Sequence, residues 1–208
     1  GLVLKRTGIA SNVMLYDRLR GKEKKLVTST TGAETTANLY GAGEMTQTGM
    51  IVSSAGNATS NMSGFNYALG LLRRAPSFFD VVAYTGIGGT GQDNVFHNLE
   101  LVIIKSRSQV GQWDTLSVHV NNWLDNGRLN ASSDFGANGG SGYLRTAPTG
   151  TKLDIGSSIN DSGQTYIAYL FATLAGVSKV GSYTGNGSNQ TINAGFTTGA
   201  RFILIKRT

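Results

Sequence analysis

Asp114, Ser117 and His119 lie within six residues and have the types of a nucleophilic triad. On an extended strand, side chains alternate between faces. Ser117 and His119 would then share one face while Asp114 points to the other. Catalytic triads converge from distant segments around an oriented base, and no Gly-x-Ser-x-Gly elbow is present. His119 therefore reads as a surface or core histidine, and so does His97, which has no charged neighbour in sequence. With two histidines and no cysteine, a multi-histidine or thiolate metal site is not expected. The eight aspartates and four glutamates are scattered, and nothing in their spacing points to the facing pair that glycoside hydrolysis needs, a pair that distant segments could still form. No catalytic residue and no cofactor is expected.

Three further patterns have a chemical reading and a structural one. Gly86-Ile87-Gly88-Gly89-Thr90-Gly91 matches the dinucleotide fingerprint formally, but the next residues read as strand where a helix is required. A hairpin turn with positive φ accounts for these glycines. Asp154 to Asp161, with Ser157, Ser158 and Asn160, offers oxygens for calcium but departs from the EF-hand spacing, so it reads as a polar turn. Arg18, Arg20, Lys22, Lys24 and Lys25, softened by Asp17 and Glu23, read as a solvated turn. That cluster lacks the interleaved aromatics that stack bases. Trp113 reads as a core anchor. Trp123 and Tyr143, set among glycine and asparagine, read equally well as core anchors or as exposed rings that stack on a sugar. They are the candidate ligand-binding residues.

The elements that would position these residues repeat. Leu2-Val3-Leu4-Lys5-Arg6-Thr7 recurs as Leu101 to Arg107 and again as Phe202 to Thr208, with the lysines 100 and 101 residues apart. Asn61 to Ala68 matches Asn160 to Ile167, and Phe79 to Gly86 matches Ser178 to Gly185, both at an offset of 99. A period near one hundred residues is a whole small domain, not a solenoid turn. Each copy holds short runs rich in Val, Ile, Tyr, Phe and Thr between Gly, Asn, Ser and Asp clusters, which is the strand-and-turn signature. Leu101 to Ile104, Tyr166 to Phe171 and Phe202 to Ile205 read as covered strands. Asp80 to Tyr84 and Val95 to Leu99 read as a hairpin, while Val13 to Arg20 and Asn121 to Asn126 read as helical turns.

The expected fold is all-β, with two tandem jelly-roll-like β-sandwiches of about one hundred residues each. The expected division is 1–77 plus 178–208 and 78–177, with 1–100 and 101–208 as the alternative phase. In the first division the terminal strands complete the N-terminal sandwich, in the same chain or in a neighbouring subunit, because an unpaired edge is an aggregation liability.

Composition narrows the class further. The 208 residues include 29 glycines and only 2 prolines, and charged residues are 14%, well under the usual quarter. The net charge of +6 has no dedicated basic patch, so nucleic acid is not an expected partner. No apolar run approaches the roughly 20 residues of a membrane span, so membrane insertion is not expected. The opening Gly-Leu-Val-Leu-Lys, without Met or a signal-peptide pattern, suggests a processed product or a segment of something longer.

In combination, Phe79 to Gly86, Asn98 to Arg107, Trp113, Gly163 to Phe171, Gly176 to Ser188 and Phe202 to Thr208 resemble a repeated β domain of tailed-bacteriophage structural proteins. The resemblance covers 78–208 closely and 1–77 loosely, and the chain departs from the pattern at the short Asn98 to Leu101 stretch and at Ser117-Val118-His119. It implies a non-enzymatic virion component: a tail fibre, appendage or capsid-surface part on the particle exterior. The implied partners are other virion proteins and further copies of the chain, with contact to host glycan as a second reading.

Overall fold

The computed structural model describes residues 2–6, 12–36, 42–52, 61–88, 92–93, 98–136, 142–144, 146–149 and 152–208. The strands are β1 (Leu2–Arg6), β2 (Met14–Tyr16), β3 (Lys24–Val27), β4 (Thr35–Thr36), β5 (Ala42–Met45), β6 (Met50–Val52), β7 (Tyr67–Leu71), β8 (Phe79–Thr85), β9 (Gln92–Asp93), β10 (Leu101–Ser106), β11 (Trp113–Ser117), β12 (Asn126–Arg128), β13 (Lys152–Leu153) and β14 (Thr165–Phe171). Two five-stranded antiparallel sheets hold most of them, in the orders β4-β3-β2-β1-β7 and β12-β11-β10-β14-β8. Short ribbons β5-β6 and β9-β13 stand apart. The protein is all-β, with two sheets in the manner of a β-sandwich.

The sequence repeat is also a repeat of register. Leu2 pairs with Tyr16 and Leu71, while Val102, one hundred residues on from Leu2, pairs with Leu116 and Leu170. Lys5 faces Ala68, and Lys105 faces Ile167. The outer pair differs: Leu15 faces Leu26, but Thr115 faces Gly127, one position past the equivalent of Leu26. Each repeat thus builds a sheet core of the same strand order, with one register over β2-β1-β7 and β11-β10-β14. A one-residue slip would turn every side chain to the wrong face, so matching registers mean matching faces.

Alternation along β10 and β14 sends Val102, Ile104, Tyr166, Ala168 and Leu170 to one side, where Trp123, Leu144, Leu153, Ile155 and Ile159 cover them. Ile103, Ile167 and Tyr169 go to the other side with Trp113 and Phe79, and meet Leu15 and Leu26 of the first sheet. That second cluster is common to both repeats. The expectation of two tandem sandwiches, each with its own core, is therefore not confirmed: each repeat contributes a sheet, and the sheets share an apolar layer.

Other expectations change as well. Val13 to Arg20 is not helical, because Met14 to Tyr16 are buried in β2 and only the turn at 18–20 follows. β8 pairs with β14 over its whole length, and the expected hairpin partner Val95 to Leu99 lies largely outside the described residues. Residues 94–97, including His97, lie outside the described residues. Asn121–Trp123 forms a single 3-10 turn. Residues 178–208 form no strand in this chain, and Phe202 to Ile205 are about half exposed or more.

Candidate functional site

The triad residues stay apart. The Ser117 hydroxyl donates to the Glu100 carbonyl at 2.8 Å and accepts from the His119 backbone N–H. The His119 imidazole lies 3.5 Å from the Glu100 carboxylate. Asp114 sits on the opposite face of β11, across from Arg128.

Of the fingerprint glycines, Gly86 has a structural role, and Gly89 and Gly91 lie outside the described residues. A Cβ on Gly86 would lie 2.1 Å from the Asp161 carbonyl oxygen, and Gly86 exchanges backbone bonds with Gln164 and Gly163. Only glycine lets these two loops close. Gly86→Ala is expected to cost about 3 kcal/mol or more by overpacking against backbone, read as a shift in the urea midpoint. The Asp161 carboxylate accepts from the Gln109 amide at 2.7 Å, and that of Asp154 accepts from the Thr146 hydroxyl. Among the described residues no three metal-ligating side chains converge.

Trp123 is 4% exposed and belongs to the outer core cluster, and Tyr143 is half-buried against the same cluster. Asn121, Asn122 and Trp123 are all left-handed, with φ of 44, 48 and 74°, and this reversal turns the indole inward. Asparagine tolerates that conformation better than most residues. The ring is filler for the core, so the exposed stacking face that a sugar needs is not there at Trp123.

The structure instead gathers charged and aromatic groups at the junction of the two repeats. Asp17 accepts from Arg20 Nε, from the Arg20 backbone N–H at 2.9 Å and from the Tyr169 hydroxyl at 2.7 Å. Arg20 also donates to the Leu15 carbonyl and lies 3.6 Å from Glu34. Arg107 forks onto Glu34 at 3.0 and 3.3 Å. Trp113 Nε1 donates to the Val27 carbonyl at 3.0 Å, and Lys105 Nζ to the carbonyls of Ser106 and Thr31. Sequence reading placed Arg20 in a solvated turn, yet it is buried. The signal was Asp17 three residues earlier, which folds the turn back on itself.

Burial pushes Asp17 up, but Arg20 and the bonds from Arg20 and Tyr169 outweigh it and hold the carboxyl below its ordinary value. Burial pushes Tyr169 far up, so its hydroxyl remains a donor. Burial also pushes Asp114 up to about 6, against Arg128, Lys105 and the Asn126 amide, and pushes Lys105 down to about 8, against Asp114. Asp114 is protonated more readily folded than unfolded, so stability falls as pH rises from about 4 to 6. Lys105 is charged less readily folded, so stability rises between about pH 8 and 10.5. Each arm amounts to at most about 3 kcal/mol. Denaturant midpoints against pH check this, with Asp114→Asn expected to flatten the first arm and Lys105→Met the second.

The junction has a partial second copy at the end of the chain. Lys206 Nζ donates to the carbonyls of Ala131 (3.1 Å) and Ser133, and Arg207 Nε to Asp134 at 2.6 Å. Ala131 and Asp134 stand one hundred residues beyond Thr31 and Glu34, and Arg207 one hundred beyond Arg107. The loop that follows the third sheet strand is thus a seat for a Lys-plus-Arg pair in both repeats.

Fold and site together define an all-β repeat protein whose conspicuous polar cluster joins sheets. Residues 73–208 match the family described as a domain of unknown function, DUF7483, and the chain belongs to that family. No curated protein and no solved structure matches it.

Proposed function

We propose that the chain is a non-enzymatic structural module that joins copies of its own repeat, serving as a surface component of a bacteriophage virion such as a tail fibre, appendage or capsid part. The observation that carries the module reading is the recurrence of the seat: Lys105 and Arg107 on Thr31 and Glu34, then Lys206 and Arg207 on Ala131 and Asp134. A catalytic cluster must reach substrate, whereas Asp17 and Arg20 are almost wholly withdrawn from solvent between the sheets. The virion reading is supported by the sequence resemblance alone. Its finer form takes each repeat of about one hundred residues as a domain, with 78–177 as one unit and 1–77 plus 178–208 as parts of another. β8 supports this phase by pairing in the second sheet and not the first.

The partners in this reading are other virion proteins and further copies. The glycan-binding alternative is weakened by the burial of Trp123. The test combines immunogold labelling of purified particles with a glycan array probed by the purified chain. Labelled particles and a silent array are the expected results. A reproducible glycan signal lost in Tyr143→Ala would transfer the assignment to a lectin.

A further inference from the structure

We infer that residues 179–183 of one copy add as an edge strand to β7 of a second copy, so that copies join head to tail. This rests on the structural-module reading above and supplies its partner and register.

The donor is shaped by a turn that occurs twice. The Ala75 N–H donates to the Phe79 carbonyl, and the N–H groups of Phe78 and Phe79 donate to the Ala75 carbonyl. Ninety-nine residues on, Leu174, Val177 and Ser178 make the same three bonds. The left-handed position is Ser77 in one turn (φ 56°) and Gly176 in the other (φ 74°). The first turn delivers the chain into β8, which lies on β14. The second delivers residues 179–183, which have the matching sequence but pair with no strand among the described residues and, apart from the half-buried Val180, lie exposed.

The acceptor is the counterpart of β14. β7 ends the first sheet with β1 as its sole strand neighbour among the described residues. Its surroundings are built like those of β14. The Tyr67 hydroxyl accepts from the Met62 N–H as that of Tyr166 accepts from the Asp161 N–H. Gly64 and Gly163 are left-handed at matching positions, with φ of 81 and 76°. Carrying the β8–β14 register across sets Lys179 opposite Leu71, Ser182 opposite Ala68 and Tyr183 opposite Tyr67. Tyr183 then stacks on Tyr67 as Tyr84 stacks on Tyr166, whose rings are 5.0 Å apart and nearly parallel. Gly185 falls where Gly86 stands, the position that backbone contact restricts to glycine.

The occupant is a second copy because the segment, tied beside the second sheet, pairs with no strand of its own chain among the described residues. Val180 is tied by both backbone groups to the Thr173 hydroxyl, just beyond the end of β14. Among the described residues each chain therefore carries an unpaired edge, with Leu69 and Leu71 about half exposed, and an unused segment that fits it. Pairing of unlike surfaces is heterologous and propagates into a ring or a filament. It also hides an edge that would otherwise recruit other chains.

The native sequence has no cysteine, so a register can be tested by disulfide trapping. Ala68 and Ser182 are both exposed, and either tolerates the change. Chains carrying Ala68→Cys are mixed with chains carrying Ser182→Cys under mild oxidation. Directly opposed residues meet disulfide geometry, while a shift of one turns the thiol to the other face, so the mixture should give about tenfold more heterodimer than Leu69→Cys with Ser182→Cys. Equal yields in the two mixtures overturn the proposal. So does a doubly substituted Ala68→Cys, Ser182→Cys chain that closes only as a monomer, which would assign the strand to its own chain. Either failure leaves the array and labelling results, and hence the module reading, standing on their own.

Discussion

Asp17→Asn is expected to cost about 3–5 kcal/mol at neutral pH, because it removes one partner of a buried ion pair and leaves the other charged. Asp17 and Arg20 side chains are at most 1% exposed. Asparagine preserves the volume but presents one carbonyl where the carboxylate serves Arg20 Nε, the Arg20 N–H and the Tyr169 hydroxyl. Glu34, at 3.6 Å, is too far to replace the contact. For a chain of this size the loss corresponds to a fall in Tm of about 10 °C. The folded carboxyl is held below its ordinary value. Its stabilisation is therefore complete above about pH 5 and is lost as pH falls below 4. Urea unfolding of wild type and variant at neutral pH and at pH 3 checks both statements. The difference should be large in the first condition and shrink in the second. A difference under about 1 kcal/mol at neutral pH would mean that the pair contributes no more than a surface salt bridge.

The repeat was legible because it is carried by apolar strands with fixed alternation, and β1, β10 and their partners obey one register. Its packing was not. A period of one hundred residues says that two units share a fold, not whether their apolar faces close on themselves or on each other. That choice depends on long-range contacts such as Leu15 and Leu26 against Tyr169 and Trp113. The same limit applied to the site. Asp17 and Tyr169 are 152 positions apart and meet at one hydroxyl, and no local pattern announces that. The basic run around Arg20 divides: Arg18 and Lys22 are exposed, Lys24 and Lys25 are half-buried in β3, and Arg20 alone is buried where the turn folds inward. Trp123 was undecidable by sequence, since glycine and asparagine flank both exposed loops and tight left-handed turns that bury a ring. The strand-like Phe202 to Ile205 run shows the reverse case: composition favours a covered strand, but β structure needs a partner, and among the described residues no strand pairs with it.

Trp113→Ala should be comparably severe, at about 3–5 kcal/mol, through the cavity it leaves. The indole is fully buried, packs on Tyr169 with ring centroids 6.4 Å apart, and donates to the Val27 carbonyl. Trp113→Phe separates the two contributions. It keeps most of the apolar contact but leaves the Val27 carbonyl without its side-chain donor, at a cost of about 1–3 kcal/mol. Tyr169 touches both Trp113 and Asp17, so the two sites are physically linked. A double-mutant cycle of Trp113→Phe with Asp17→Asn should show coupling of about 0.5–3 kcal/mol, whereas independent sites would add within a few tenths. Joint behaviour has a second signature. If the shared layer makes the sheets one cooperative unit, tryptophan fluorescence, which reports on the second repeat, and far-ultraviolet circular dichroism, which reports on both, should give a single coincident unfolding curve. Two separated transitions, with Trp113→Ala moving only the later one, would instead show that each repeat is held by its outer cluster and that the junction adds little.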